Sequence, residues 1–372
     1  MLKHIGVNPM VNKPRSSIFA ACVAVLALAF TPGIALGQPS QATDPATVPM
    51  SAHDSRAVIL SLADLLRERF AFRERGVAAA NEIEAMQQRG EFEDARSAAE
   101  LLALIEARIT PLVDDRHFRV RYLGPEILAG FSEGPPSTEE MAAFHEEVRL
   151  RGSEIPDVRW LPGNVGYLRI NRFLDTPPGV EKLTAAMGIL ADTGALIIDV
   201  RGAPGGEPAG VANVIGHLVA ARTATVRVET AFDPSGDQTF HAEPRTPGFT
   251  GKPVYVLIDG ETGSGAEEFA YDLQAMQRAT LVGQTTYGAA NPGGFRPLAN
   301  GFAAFIPMQI VSHTLTGTNW EGVGVRPDVE VASEQALEHA HRLALEAILS
   351  VATGVRKDIA EEGLASLQPR PE

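Results

Sequence analysis

From residue 164 onward, short apolar runs alternate with helical stretches, and that rhythm constrains the fold more than any other feature of the chain. Strand-like runs stand at 164–170 (NVGYLRI), 195–201 (ALIIDVR), 223–229 (TATVRVE), 253–259 (PVYVLID) and 279–283 (ATLVG), with helical stretches at 178–192, 208–221 and 265–276. Strands joined through helices need crossover connections, which predicts an α/β fold with a mostly parallel, buried sheet. Asn300-Gly301, between 294–299 and 302–307, predicts an attached hairpin. A final amphipathic helix, roughly 334–352, is expected to close the domain.

The upstream half reads differently. From Ser55 to Thr110 the pattern is helical, with Val58, Leu62 and Leu65 on one stripe and Leu101, Leu102 and Ile105 on another. Ser97 and Glu100 make a capping-box signature, as do Ser137 and Glu140. Thr110-Pro111 is expected to end the bundle. FRVRYL at 118–123 alternates like a strand. The expected division is a leader over 1–37, a Pro-rich linker over 38–50, and a small helical domain over 51–117. A connecting segment over 118–162 leads into an α/β domain over 163–352 and a tail over 353–372.

The leader reading rests on Lys3, Lys13 and Arg15 before the apolar run Ile18–Phe30, then Pro32 and small residues at Ala35–Gly37. It predicts a secreted or periplasmic protein without stable membrane insertion after cleavage, an uncleaved N-terminal membrane anchor being the alternative. The only cysteine, Cys22, lies inside that run, which leaves the rest of the chain without a thiol or a disulfide. A formal net charge of −14 with no basic stripe argues against a nucleic-acid partner.

Three segments carry candidate chemistry. In PVYVLIDGETGSGAEEFA (253–270), a buried strand runs through a tight turn to Ser264 at the start of a helix, where free N–H groups and the positive dipole end gather. The N–H of Gly265 is placed to stabilise an oxyanion formed by attack from Ser264, although a serine here equally reads as a helix cap. ALIIDVRGAPGG (195–206) repeats the strand-to-turn-to-helix plan. Its Gly205-Gly206 pair suits a turn that presents N–H groups outward, or an ordinary β–α turn. In GTNWEGVGVRPDVEV (317–331), Glu321 stands in a glycine-containing loop; alone, such a carboxylate reads as solvated surface.

The ordered set GYLRI, LIIDVRGAPGG, VYVLIDGETGSGAEEFA, LVGQTTYGAANPGG and WEGVGVRPDVEV resembles the carboxyl-terminal processing peptidase superfamily, which includes the tricorn protease core and the modules of interphotoreceptor retinoid-binding protein. The match covers roughly 163–332, and the helical region with LVDDRHFRVRY resembles the N-terminal part of the retinoid-binding-protein-like branch. The resemblance implies a crotonase/ClpP-like β-β-α core with a small N-terminal helical bundle, acting as an exported, tail-specific protease-like serine endopeptidase on peptide or protein substrates. It implies neither cofactor nor metal. Ser264 matches the nucleophile, His117 the general base and Glu321 the acid that orients it. Gly265, Gly205 and Gly206 match the oxyanion hole. Tyr287, Ala290 and Asn291 are candidate substrate-cleft residues.

The sequence also selects between the superfamily's two catalytic designs. A Ser–Lys dyad needs a lysine shortly downstream of the serine, yet none lies between Pro253 and Arg356, and Ala289 stands where it is expected. A histidine base held by a carboxylate remains. His313 is the rival to His117. His339 and His341 sit at i, i+2, on different helix faces, so they imply no metal site. His53 and His241 are expected in loops, and His145 and His217 in helices. Ala203 replaces the asparagine usual in the Arg-x-Asn turn, Arg116 stands where tricorn has a second serine, and the segment from Tyr122 to Asn164 is too short for a PDZ domain. The alternative function is a non-catalytic binder of retinoid-like or fatty ligands on the same scaffold.

Overall fold

In a computed structural model, the structure describes residues 44–131, 136–232 and 234–367. The leader, its Cys22 and the first part of the linker lie outside the described residues. Helix α1 (Ala52–Arg69) starts at a capping box in which Ser51 and Asp54 satisfy each other's N–H groups, and it buries Val58, Ile59, Leu62 and Leu66 on one face. α2 (Arg73–Gln88) packs against it. α3 (Ala98–Arg108) stops before Thr110-Pro111, yet the proline opens one further turn, α4 (Thr110–Val113), because a first-turn residue needs no N–H partner. Left-handed Asp114 (φ 49°) ends that turn and directs the chain toward strand β1 (Arg119–Tyr122).

After α5 (Pro125–Ala129) and α6 (Thr138–Leu150), the chain runs β2 (Asp157–Leu161), β3 (Val165–Arg169), α7 (Pro177–Ile189), β4 (Ala195–Asp199), α8 (Pro208–Gly216), β5 (Thr223–Thr230), β6 (Gln238–Ala242), β7 (Val254–Ile258) and α9 (Gly265–Ala275). It continues with β8 (Thr280–Gly283), β9 (Gly293–Pro297), β10 (Phe302–Pro307), β11 (Gln309–His313), β12 (Val329–Glu330), α10 (Ala336–Leu349) and α11 (Val355–Ser366). The central sheet has the order β12-β8-β7-β4-β3-β2, parallel throughout except at β2–β3. Both faces are covered, which explains the unbroken apolar runs. Leu168, Ile198 and Val256 pack with Phe269 and Leu273 of α9 on one side. Tyr167, Ile197 and Leu257 meet Ala340, Ala344 and Leu345 of α10 on the other.

Four expectations change. β5, read with the parallel series, belongs to a separate antiparallel sheet β11-β5-β6; Arg227 on it is exposed, as a strand covered on one face allows. The hairpin β9–β10 forms through left-handed Asn300 and Gly301 (φ 54° and 80°) but pairs with β1 instead of joining the main sheet. The expected tail contains α11, whose Gly363 packs so closely on Gly163 that an added Cβ would lie 2.5 Å from its Cα. His53 falls in α1 and His241 in β6, not in loops. Among the described residues, only α5, α6, a short helical turn and β2 separate β1 from β3, and no PDZ domain is present.

The β9–β10 hairpin fastens the N-terminal helices to the α/β domain: Phe302, Ala304 and Ile306 share a core with Leu62, Leu66, Leu101 and Ile105. Phe302 is fully buried. Phe302→Ala is expected to lower unfolding free energy by about 3–5 kcal/mol in a denaturant titration; a loss below about 1 kcal/mol would show that the junction collapses around the cavity.

Candidate active site

The turn after β7 is clasped to the turn after β4. Asp259 Oδ1 accepts the N–H groups of Gly202, Glu261 and Thr262, and the Thr262 hydroxyl donates to the Val200 carbonyl at 3.0 Å. Gly263 N–H donates to the Ala203 carbonyl at 2.9 Å, so the turn lacking its usual asparagine is held by main chain. Ser264 emerges from this clasp at φ 54°, ψ −124°. The chain's true serine caps, Ser51 (−97°, 163°), Ser97 (−139°, 161°) and Ser137 (−65°, 165°), are all extended, as capping requires. Ser264 instead occupies a strained conformation of the kind that lifts a nucleophile on a strand-to-helix elbow, at a cost on the order of 1–3 kcal/mol.

Gly205 and Gly206 (φ 124° and 149°) lie directly against it. A Cβ on Gly205 would sit 2.7 Å from Ser264 Cβ and 2.8 Å from Gly265 N, and one on Gly265 would sit 2.9 Å from Gly206 N. Only glycines permit this approach. Phe173 anchors the pair, donating its N–H to the Gly205 carbonyl and accepting from Glu207 N–H, each at 3.0 Å.

The second half of the site gathers around Glu321, which follows buried Trp320. Its Oε1 accepts Arg116 N–H at 2.8 Å, while Oε2 accepts Ala290 N–H at 2.7 Å and both the backbone and side-chain N–H of Asn291 at 3.3 Å. Asp115 Oδ1 accepts His117 N–H and Oδ2 accepts Asn291 Nδ2–H, both at 2.9 Å. Donor atoms of Asp115, His117 and Glu321 all lie within 4.8 Å of one another, a group with the spacing a metal ion could use. The His117 ring stacks on Phe305, and its Nδ1 has no hydrogen-bond partner. Burial, helped by the Arg119 charge, pushes this imidazole down to about 3. Burial and the Glu321 charge push Asp115 up to about 7.

Glu267 joins the two halves. Its carboxylate accepts Ser264 N–H (2.9 Å), the Thr286 hydroxyl (2.5 Å), Gly288 N–H (2.6 Å) and Ala289 N–H (2.9 Å). Ala290, bonded to Glu321, is the next residue along. A continuous chain of main-chain contacts therefore links the serine elbow, the loop after β8, Glu321 and the segment carrying His117.

The expected cleft residues separate here. Tyr287 is half-exposed and donates its hydroxyl to the Arg116 carbonyl at 3.4 Å. Ala290 and Asn291 are buried and donate amide N–H groups to the two carboxylates. Asp115 and Glu267 were not singled out as site residues; the signals were the Asp-x-His spacing and a glutamate at the third helical position after Ser264. His313 is set apart: its Nε2 faces Asp272 at 3.5 Å, eight residues or about 12 Å along α9 from Ser264. Lys252 spends its ammonium on the Ala191 carbonyl.

His313 belongs to a fully buried group. Glu268 Oε1, both oxygens of Asp272 and His313 Nε2 lack hydrogen-bond partners. Burial pushes Glu268 up to about 8 and Asp272 well above the usual carboxylate range, while His313 is pushed down. A carboxyl whose folded pKa lies above its unfolded 4.5 binds its proton more tightly when native, so its contribution to stability is full below 4.5 and is lost as pH rises toward 8. Thermal midpoints are expected to fall between pH 5 and pH 9, in roughly the window of that shift, and Glu268→Gln should flatten the slope and raise the midpoint at the alkaline end. An unchanged slope in the variant would mean that Glu268 is not protonated in the native protein.

Two family models match this chain. Peptidase family S41 matches residues 164–331, and the N-terminal domain of that family's peptidases in eukaryotic IRBP matches 47–149. A carboxy-terminal-processing protease of Bartonella bacilliformis is 29% identical over 193 residues, covering 48% of this chain and 41% of that protein. A carboxyl-terminal-processing protease of Synechocystis is 28% identical over 173 residues, covering 44% and 36%. This chain thus spans less than half the length of either relative. In three dimensions, a CPAF variant superposes with a TM-score of 0.54 at 13% identity, covering 83% of this chain and 97% of that one. At that identity the likeness is one of fold.

Proposed function

The chain belongs to peptidase family S41, and on that premise we propose that it is an exported serine endopeptidase working through Ser264, His117 and Glu321. The observation that carries this reading is the backbone of Ser264, which departs from every other serine cap among the described residues and sits against a glycine pair that admits no side chain. Ser264 Oγ attacks the substrate carbonyl carbon while a His117 ring nitrogen takes its proton. The oxyanion receives N–H groups of Gly265 and Gly205. On collapse the C–N bond breaks and the imidazolium returns the proton to the leaving amine; water then hydrolyses the acyl-enzyme by the same base.

Burial keeps the resting imidazole neutral but makes it a weak base. Its strength comes from Glu321, which lies within reach and whose charge favours the imidazolium as it forms. The free Nδ1 is the atom that closes onto this carboxylate when substrate binds, since such bonds are often long in resting enzymes. Export follows from the leader at 1–37.

A fluorophosphonate probe is expected to label the wild-type protein at Ser264 and to leave Ser264→Ala unlabelled. His117→Ala should label at least about 100-fold more slowly. Lys252→Ala should label at the wild-type rate. Persistent labelling of Ser264→Ala, or its loss in Lys252→Ala, would remove this mechanism.

A further inference from the structure

We propose that Asp115, His117 and Glu321 form a reversible zinc-binding site whose occupation switches the peptidase off. Two carboxylates and one imidazole are a donor set that zinc accepts, usually with a water in the fourth position. Magnesium and calcium, which demand oxygen ligands, are disfavoured by the ring nitrogen. The three donors already lie within 4.8 Å of one another. Zinc bonds of about 2.0–2.2 Å ask for a contraction on the order of an ångström, which rotation of a ring without a hydrogen-bond partner at Nδ1 supplies.

A second observation points to a ligand. His117 is 3% exposed, and buried nitrogens without partners are rare enough to need an explanation. Each carboxylate retains coordinating capacity: Glu321 Oε1 accepts one hydrogen bond, from Arg116 N–H, and each Asp115 oxygen accepts one. Two like charges held this close attract a dication, against the opposing charges of Arg75 and Arg119 nearby. Glu321, the least buried of the three, marks the side from which an ion enters. Once bound at Nδ1, zinc holds both that nitrogen and Glu321, so the carboxylate no longer supports the imidazolium that forms as the ring takes the Ser264 proton.

Zinc binding stands independently of the catalytic reading; inhibition rests on it. The test titrates the full metal-stripped chain with Zn2+ against a chromophoric chelator. One equivalent should bind, with affinity lowered at least about tenfold in Asp115→Asn and in His117→Gln, and unchanged in His339→Gln, which alters an exposed ring on α10. Circular dichroism of each variant reports whether it is folded. Saturating zinc should slow fluorophosphonate labelling of the wild type at least tenfold, with recovery on adding EDTA. No binding at millimolar zinc, or equal affinity in folded Asp115→Asn and His117→Gln, overturns the site. Binding that leaves labelling untouched overturns the inhibition. A chain that binds zinc as expected but never labels keeps the site and refutes the catalytic proposal instead.

Discussion

One carboxylate holds the candidate site together. Glu321 accepts four hydrogen bonds from two segments that are far apart in sequence: from Arg116 after the N-terminal helices, and from Ala290 and Asn291 after β8. Charge-assisted bonds from main-chain N–H groups are among the stronger ones a protein makes, and here they fix backbone as well as side chains. Without this acceptor, the buried Ala290 and Asn291 N–H groups would lose a partner, and the segment carrying His117 would lose one of its anchors on the α/β domain. Asp115 repeats the device one step further in, with Asn291 shared between the two carboxylates.

Glu267 performs the corresponding task for Ser264. It stands where a helix-capping glutamate would, and it does accept Ser264 N–H. Its other partners come from the loop after β8, so a local capping device has become a tertiary clamp. That clamp helps explain how Ser264 persists in a left-handed conformation. The strain is opposed by the Thr262–Val200 and Gly263–Ala203 bonds on one side and by the Glu267 carboxylate on the other. Contacts of this kind on both sides hold the Ser264 backbone in a single position.

Acidic groups recur wherever the α/β domain is most tightly closed. Glu267, Glu268 and Asp272 all lie on α9, and all are pushed upward by burial. Glu267 has four donors around it; Glu268 and Asp272 have oxygens with none. The same helix therefore carries a satisfied carboxylate at Glu267, an unsatisfied one at the next residue, Glu268, and another about one turn further at Asp272, which faces His313.

The sequence by itself determined the parallel core, because strands buried on both faces must be apolar at every position, as ALIID and VYVLI are. It determined Ser264, Gly205 and Gly206 as candidates, since a tight strand-to-helix turn leaves glycine little competition. Tertiary structure decided what pattern could not reach. Strand β5 alternates as well in a two-sided sheet as in an open antiparallel one, so only pairing with β6 and β11 assigns it. The burial of Asn291 between two carboxylates is likewise invisible in sequence, because an amide in a loop carries no mark of burial. Sequence pattern does not separate His117 from His313; in the fold, α9 places the His313 imidazole against Asp272, and the Glu321 loop places the His117 imidazole among carboxylates. Short-range sequence encodes local geometry through sterics and capping, whereas the company a polar group keeps depends on contacts hundreds of residues apart, which no local pattern records.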